Sequence, residues 1–297
     1  MYEIFRSLFS RSNISKAKIT AFSLNDAPLI LRKYGVVVIP REIAFPKLKK
    51  EKFIFLKNSM KDLYKIFSKN DFLDYMDLKV EYQSSIKKHA SVFARNKTSF
   101  ILVRDKIFFD KKNNEWNIID GGFFDFFNPS KGIFNEEIFK YINITKKISL
   151  EVLNDVQKNK KFVNPYNNLY IYKSVRKPRC LHSDTHKQQF KSFLSLTNIN
   201  SIESGPITYV PKSHKKFGRL RSLISSLLST YFYSDIGNGG HDAVLFGKQE
   251  AIPITTRFFD VIIGNQSCVH GDLPTKKQND LQKLIYVHNL FPLEKSS

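Results

Sequence analysis

Two short motifs on distant stretches of the chain carry two histidines and one aspartate that a suitable fold could bring together. The first motif is CLHSD at 180–184 and the second is CVHGD at 268–272. The two histidines, His182 and His270, are 88 residues apart (270 − 182). His182 and Asp184 would end one strand and His270 would lie on a later one. The pattern therefore favours a β-rich fold whose strands return to the same place.

Two imidazoles and one carboxylate form a ligand set typical of Fe(II) in non-haem oxygenases. In those sites the three ligands occupy one face of the ion and leave about three positions open. His182, Asp184 and His270 are therefore the predicted metal ligands. Because a lone His-x-Asp triplet arises by chance in many chains, the prediction depends on the segments around it.

Three further segments occur in a fixed order with these motifs. An apolar run, YGVVVIP, lies at 34–40; GP at 205–206 leads to VPKSH at 210–214; and FDVIIGN at 259–265 precedes the second histidine. This ordered set resembles the phytanoyl-CoA dioxygenase family of Fe(II)/2-oxoglutarate oxygenases. The resemblance is good over roughly residues 165–292 and thin before them.

The resemblance implies both a fold and a reaction. The fold would be mostly β with flanking helices, around a double-stranded β-helix core of the jelly-roll or cupin type. 2-Oxoglutarate would chelate Fe(II) and O₂ would take the remaining position, giving succinate, CO₂ and an oxidant for a substrate C–H bond. Related halogenases carry a small residue in place of Asp184, so its presence favours hydroxylation.

The cosubstrate residues depart from the family pattern. The resemblance implies an arginine about a dozen residues after the distal histidine, pairing with the far carboxylate of 2-oxoglutarate. Residues 280–287 read DLQKLIYV, without arginine. Lys283 can supply the charge and Gln282 fits the family register at least as well, although neighbours in a strand face opposite ways. Tyr172 is a further candidate, and Asp272 would repel the cosubstrate unless it points away or pairs with a lysine.

The chain is strongly basic, with 48 Lys+Arg against 27 Asp+Glu and a net charge of +21. Such a field attracts anions, so we expect a small-molecule substrate with a phosphate, phosphonate, carboxylate or coenzyme A-like group. Arg176, Arg179 and Lys187 lie close to the first motif, and His241 lies in a glycine-containing loop; these are the candidate substrate contacts. Solvated surface residues, or a compositional bias toward Lys, Asn and Ile, explain the charge equally well.

The coarse pattern predicts one oxygenase domain over residues 1–297, with N-terminal helices and supporting strands at 1–164 and the jelly-roll core at 165–292. Predicted helices lie at 27–34, 58–67, 136–158 (with a possible break at 145–147) and, as an insert in the core, 219–233. Predicted strands lie at 36–39, 53–56, 98–105, 116–122 and 169–175. The strands at 98–105 and 116–122 are predicted to form a hairpin, and an aromatic loop is predicted at 121–129.

Targeting signals are not evident in the sequence. No window approaches the ~18–20 apolar residues that a membrane span needs, and the first residues lack a signal-peptide core, so a cytoplasmic location is expected. The two cysteines, Cys180 and Cys268, are predicted to be small buried hydrophobes, with a thiolate metal ligand as the alternative. A disulfide between them is disfavoured.

Two other functional classes compete with an oxygenase. One is a catalytically inactive jelly roll that binds a polyanion, either nucleic acid or glycan, with strong salt dependence. The sequence has no recognisable nucleic-acid module, which disfavours nucleic acid as the partner. The other is a cupin-like hydrolase or isomerase with a different metal, which the motif spacing disfavours. The sequence leaves the oligomeric state open.

Overall fold

Antiparallel strands are the most numerous elements in the described part of the computed structural model. It describes residues 14–68, 78–79, 89–94, 100–104, 107–110, 115–118, 122–129, 134–173, 181–232, 241–275 and 281–293. The described helices are α1 (Ala27–Tyr34), α2 (Arg41–Ala44), α3 (Lys50–Ser68), α4 (Glu136–Val156) and α5 (Lys216–Phe232). The described strands are β1 (Val36–Ile39), β2 (Leu78–Lys79), β3 (His89–Ala94), β4 (Phe100–Arg104), β5 (Ile107–Asp110), β6 (Glu115–Ile118), β7 (Gly122–Phe127), β8 (Phe162–Lys173), β9 (His182–Ser183), β10 (Phe190–Ser195), β11 (Ile207–Tyr209), β12 (His241–Asp242), β13 (Ile252–Ile254), β14 (Val261–Asn265), β15 (His270–Asp272) and β16 (Leu281–Pro292).

The strands form two larger sheets and a separate hairpin. The nine-stranded sheet has the order β1-β14-β10-β16-β8-β7-β4-β3-β2, and the five-stranded sheet has the order β12-β9-β15-β11-β13. Strands β5 and β6 pair only with each other in the described part of the chain. From β8 to β11 the chain alternates between the two larger sheets, which brings sequence-distant strands side by side.

Apolar residues on both faces of the nine-stranded sheet explain how the layers stack. On one face, Leu194 and Ile263 pack in a cluster with Ile138 and other residues of the helices. On the other face, a second cluster joins the two sheets. Its members from the nine-stranded sheet include Phe193, Ile262 and Val287, and those from the five-stranded sheet include Tyr209 and Ile254. Helices therefore cover one side of the large sheet and the small sheet covers the other.

Helix α4 is continuous, so the predicted break at 145–147 is wrong. The Asn135 side chain caps the helix by accepting a hydrogen bond from the Ile138 backbone N–H at 2.8 Å, which satisfies one otherwise unpaired donor. Thr145, at the expected break, is buried and its hydroxyl donates to the Tyr141 carbonyl at 2.9 Å. The polar side chain is thus satisfied inside the helix and does not interrupt it.

The predicted helix at 27–34 and strand at 36–39 are confirmed as α1 and β1. The predicted helix at 219–233 corresponds to α5, which begins three residues earlier. The strand-like patch at 53–56 is wrong, because it lies within α3. Leu56 and Met60 are buried while Phe55 is exposed, so the apolar residues follow helical spacing.

The aromatic segment after residue 121 and the predicted hairpin also differ from expectation. Residues of the expected loop form β7, which pairs with β4 and β8, because aromatic residues favour strands. A hairpin does form here, but among the described residues β6 pairs with β5 and not with β4. No described helix is both long and apolar enough to cross a bilayer.

A buried histidine should make the fold sensitive to acid. His288 is 1% exposed, and its ring nitrogens lie 2.8 Å from Asn167 Oδ1 and 3.0 Å from the Ile142 carbonyl oxygen. Burial lowers the pKa of His288 from 6.5 to about 3. Between these pH values the unfolded chain binds a proton that the folded chain does not, so stability falls as the pH drops from 6.5 toward 3.

We expect His288→Gln to reduce the difference in unfolding free energy between pH 7 and pH 5 by about 2 kcal/mol. Urea denaturation of both proteins at the two pH values measures this difference. Equal pH dependence in the variant and the original protein would contradict the role of His288.

Candidate metal centre

Strands β9 and β15 place the two predicted histidine ligands directly opposite each other. They are antiparallel neighbours in the small sheet, and His182 pairs with His270 in the register. The two imidazole centroids are 4.5 Å apart. Asp184 follows β9, and one ligand atom from each of the three side chains lies within 4.8 Å of the other two. The fold thus brings together the three residues that the sequence singled out.

Asp184 and His270 have the protonation states that a metal ion requires. Asp184 Oδ1 lies 3.3 Å from His182 Nε2, and Asp184 Oδ2 lies 3.7 Å from His270 Nε2. Burial favours the neutral acid, but the Lys191 ammonium and the two imidazoles hold the pKa of Asp184 well below its ordinary value. Burial, with the nearby His182, lowers the pKa of His270 to about 3. At neutral pH the carboxylate is therefore ionised and His270 is neutral, as metal binding requires.

Neighbouring groups fix the orientation of the His270 ring. Its Nδ1 lies 2.9 Å from the Cys268 carbonyl oxygen. Because a carbonyl can only accept, Nδ1 carries the proton and Nε2 keeps its lone pair toward the site. Tyr209 stacks on the ring with centroids 5.2 Å apart and planes inclined by 20°. Such contacts normally orient metal-binding histidines, and neither partner was predicted from the sequence.

Lys191 contacts the site, although sequence reasoning did not identify it. Its ammonium donates to Asp184 Oδ2 at 2.7 Å and to the Tyr170 hydroxyl oxygen at 3.3 Å. Lys191 lies on β10 two residues before Phe193, which packs between the two sheets. Since residues i and i+2 share a face of a strand, Lys191 projects to the same side. The available signal in the sequence was this alternation, which puts Lys191 on the same strand face as the apolar residue Phe193.

Lys283 is buried in an ion pair with Asp272. Asp272 was expected to repel an anionic cosubstrate unless it pointed away or paired with a lysine, and the second of these conditions is met. The Lys283 ammonium donates to Asp272 Oδ1 at 2.8 Å and to the Gly205 carbonyl, and it lies 3.7 Å from the Tyr172 ring centroid. The Tyr172 hydroxyl donates to Asp272 Oδ2 at 3.1 Å. Burial lowers the pKa of Lys283, while Asp272 acts in the opposite direction. Lys283 and Tyr172, two of the three cosubstrate candidates, therefore form one cluster with Asp272, in which Lys283 already has a counter-ion.

The remaining candidates are placed only in part. Gln282 lies in β16 at a register irregularity between Leu281 and Lys283, and its side chain is outside the described set. The backbone of His241 pairs with Ser183 of β9, next to the metal ligands, but its side chain is likewise not described. Lys187 is exposed. The other two substrate candidates, Arg176 and Arg179, and also Cys180, lie outside the described residues.

Two side chains near the site, Cys268 and His214, contact each other and the neighbouring backbone. Cys268 is a buried free thiol whose pKa burial raises to about 11, which agrees with the predicted buried hydrophobe. Its Sγ lies 3.3 Å from His214 Nδ1, and His214 Nε2 lies 3.2 Å from the Arg32 carbonyl oxygen. Gly35 adopts φ 82° here, and a Cβ at this position would collide with Cys268 Sγ. His214 thus joins the second sheet to α1 and lies outside the three-residue group.

Comparison with protein-family models gave no match, and neither did comparison with curated proteins. Among solved structures, the chain is similar to EvdO2 from Micromonospora carbonacea var. aurantiaca, which is complexed with 2-oxoglutarate (12% identity, 91% of this chain and 92% of that one, TM-score 0.48). It is also similar to AviO1 from Streptomyces viridochromogenes Tue57 (11%, 93% and 97%, 0.47). A third is SnoN from nogalamycin biosynthesis, a non-haem α-ketoglutarate-dependent epimerase (10%, 90% and 82%, 0.46). At such values the likeness assigns neither family nor activity, so function must be inferred from the site itself.

We expect His182→Ala and His270→Ala each to weaken Fe(II) binding by at least about 10–100-fold. Removing a residue that only hydrogen-bonds to a metal ligand already costs this much, and removing a ligand itself should cost no less. Anaerobic titration with Fe(II) measures this. His186→Gln is the matched control, because it changes an imidazole two residues after Asp184 but outside the three-residue group. Unchanged affinity in His182→Ala, or an equal loss in the control, would contradict the site.

Proposed function

We propose that this chain is a non-haem Fe(II)/2-oxoglutarate-dependent oxygenase that hydroxylates a small anionic organic molecule. The observation that carries the proposal is the convergence of His182, Asp184 and His270 on adjacent strands. Two imidazoles and one carboxylate on one side of an ion leave positions for a chelating cosubstrate and O₂. A site for structural zinc would instead fill a tetrahedron with protein ligands.

The sheet topology supports a double-stranded β-helix core within a single domain over residues 1–297. Strands β8, β10, β14 and β16 belong to the large sheet, and β9, β11, β13 and β15 to the small one. The proposed ligands then come from neighbouring strands of the small sheet and face the space between the sheets. A relationship to the phytanoyl-CoA dioxygenase family is part of this proposal, supported by the ordered motifs of the sequence.

The three ligands would hold Fe(II), and the remaining residues of the site would bind and orient its partners. Bound iron with 2-oxoglutarate and O₂ supplies the oxidation of a substrate C–H bond, coupled to formation of succinate and CO₂. The Cys268 carbonyl and Tyr209 keep the His270 ring in the orientation and tautomer that this requires. Lys191, 2.7 Å from Asp184, is within reach of an anion bound beside the ligands and can neutralise it.

Two lysines match the two carboxylates of 2-oxoglutarate. Lys191 lies next to Asp184, and Lys283 lies with Asp272 and Tyr172 on the last strand. We assign the near carboxylate to Lys191 and the far one to Lys283. Because Asp272 already occupies Lys283, the cosubstrate must compete with an internal carboxylate, and binding should be weaker than an unpaired cation would give.

The substrate assignment follows from charge and position. The net charge of +21 favours an anionic molecule. Arg176 and Arg179 precede β9 in the sequence, and the backbone of His241 pairs with it. We assign these residues and the exposed Lys187 to contacts with the anionic group of the substrate.

Turnover of 2-oxoglutarate tests the proposal directly. The protein with Fe(II), ascorbate and a panel of anionic metabolites should release succinate, and a true substrate should increase the rate. Asp184→Asn should abolish the release, whereas Asp155→Asn, an exposed carboxylate at the end of α4, should not. Salt-sensitive binding to polyanions that persists after metal removal, with no succinate formed, would favour the inactive binding module instead.

Removing the internal competitor should strengthen cosubstrate binding. Asp272→Asn keeps the size of the side chain but leaves Lys283 without its counter-ion. We expect the Kd for 2-oxoglutarate to fall several-fold, while Lys283→Met raises it about tenfold or more. Anaerobic titration of the metal-loaded protein measures both values. If Asp272→Asn weakens binding as much as Lys283→Met does, Lys283 is a structural ion-pair partner and not the cosubstrate contact.

A further inference from the structure

Helix α5 turns its apolar face toward solvent and its polar face toward the protein, which is the reverse of an ordinary surface helix. Its exposed large apolar side chains are Phe217 (83% exposed), Leu220 (55%), Leu223 (45%), Ile224 (42%) and Leu227 (64%). Positions 217, 220, 224 and 227 follow helical spacing and therefore form one continuous stripe. An ordinary surface helix turns such a stripe toward the core.

The face of α5 that packs on the protein is polar. Its buried side chains, among those described (216–229), are Arg221, Ser222, Ser225, Ser226 and Ser229. The Ser222 hydroxyl lies 3.2 Å from the hydroxyl of Ser183, a residue of β9. The Ser225 hydroxyl accepts from the Leu245 backbone N–H at 3.1 Å. Ser222 thus attaches the helix to the strand that carries His182, and Ser225 attaches it to the segment after β12.

A buried ion pair fixes the rotation of the helix. The Arg221 guanidinium donates to both carboxylate oxygens of Glu250 at 2.7 and 2.8 Å and lies 4.1 Å from the Phe246 ring centroid. A rotation that buried the apolar stripe would break this bidentate pair, and separating a buried pair is strongly unfavourable. The outward direction of the stripe is therefore set by the packing of the opposite face.

Basic residues surround the start of the stripe. Lys212, Lys215 and Lys216 are exposed, and residues 204–234 contain no Asp or Glu. Cations near a helix N-terminus oppose the helix dipole, so helix stability does not account for them. Together with the apolar stripe they form a surface, here called the α5 face, that is complementary to an apolar layer with anionic groups at its boundary.

We propose that the α5 face binds the surface of an anionic lipid bilayer. The apolar stripe would enter the boundary between headgroups and acyl chains, and the three lysines would contact the headgroups, as in interfacial amphipathic helices. The net charge of +21 opposes pairing of this face with a second copy of the chain. Binding would bring the back of β9, opposite the proposed metal ligands, toward the membrane.

Vesicle sedimentation with the full chain tests the proposal. Phosphatidylcholine vesicles containing about a third phosphatidylserine are compared with pure phosphatidylcholine at physiological salt. We expect binding to the anionic vesicles, and a loss of more than about tenfold in Phe217→Ser/Leu227→Ser, which leaves the charge unchanged. The charge variant Lys212→Glu/Lys215→Glu/Lys216→Glu should lose at least as much.

Matched controls alter equally exposed residues elsewhere. Phe22→Ser removes a phenylalanine with the same 83% exposure as Phe217, and Lys57→Glu/Lys61→Glu reverses two exposed lysines of α3. Both controls should keep most of the binding. Circular dichroism should be unchanged in every variant, because all the altered side chains are exposed.

Three results would overturn the proposal. Binding that survives Phe217→Ser/Leu227→Ser would be attraction by net charge alone. Absence of binding to anionic vesicles would exclude a lipid surface as the occupant of the α5 face. A concentration-dependent dimer in sedimentation equilibrium, lost in Phe217→Ser/Leu227→Ser, would show that the α5 face joins two copies of the chain.

Discussion

The candidate site depends on one antiparallel pairing, that of β9 with β15. This pairing sets His182 opposite His270 and fixes the distance between their rings without help from any loop. Asp184 leaves the end of β9 with its backbone N–H donating to the Gln266 carbonyl at 3.1 Å, so the carboxylate is also held by the segment that precedes β15. A ligand set built on paired strands is more rigid than one carried by loops.

Charge balance inside the site follows from the alternation of side chains along a strand, which directs lysines toward the carboxylates of the site. Each described carboxylate has its own lysine, Lys191 for Asp184 and Lys283 for Asp272. Burying an unpaired charge would cost several kcal/mol, so each pair makes burial of its partner possible. Under the proposed function, an anionic cosubstrate would have to share both lysines with carboxylates that the chain itself supplies.

The sequence predicted the centre of the site better than its surroundings. Motif order was enough to select His182, Asp184 and His270, which the structure brings together. Lys283 was singled out because its charge can replace the arginine that the family resemblance implies, but its pairing with Asp272 remained one of two alternatives. Lys191 was missed because alternation shows that it shares a face with Phe193, but the inward direction of that face is clear only once the sheet is assembled.

Errors in the fold have a related cause. The apolar run at 53–56 is compatible with either a strand or one face of a helix, and only the packing against the core decides between them. The segment that begins with the two glycines at 121–122 suggested a loop, yet pairing of β7 with β4 and β8 extends the sheet through residues 122–127. In both places tertiary contacts outweighed the local pattern, as they often do in short apolar segments.

X-ray absorption spectroscopy of the Fe(II)-loaded protein tests the central claim most directly, since it reports the atoms bound to the ion. We expect scattering from two imidazoles per iron with only oxygen and nitrogen neighbours, and one imidazole fewer when His270 is replaced by alanine and the protein is saturated with iron. A sulfur neighbour, or an unchanged imidazole count in that variant, would show that the ion binds elsewhere and would contradict a shared site of these three side chains.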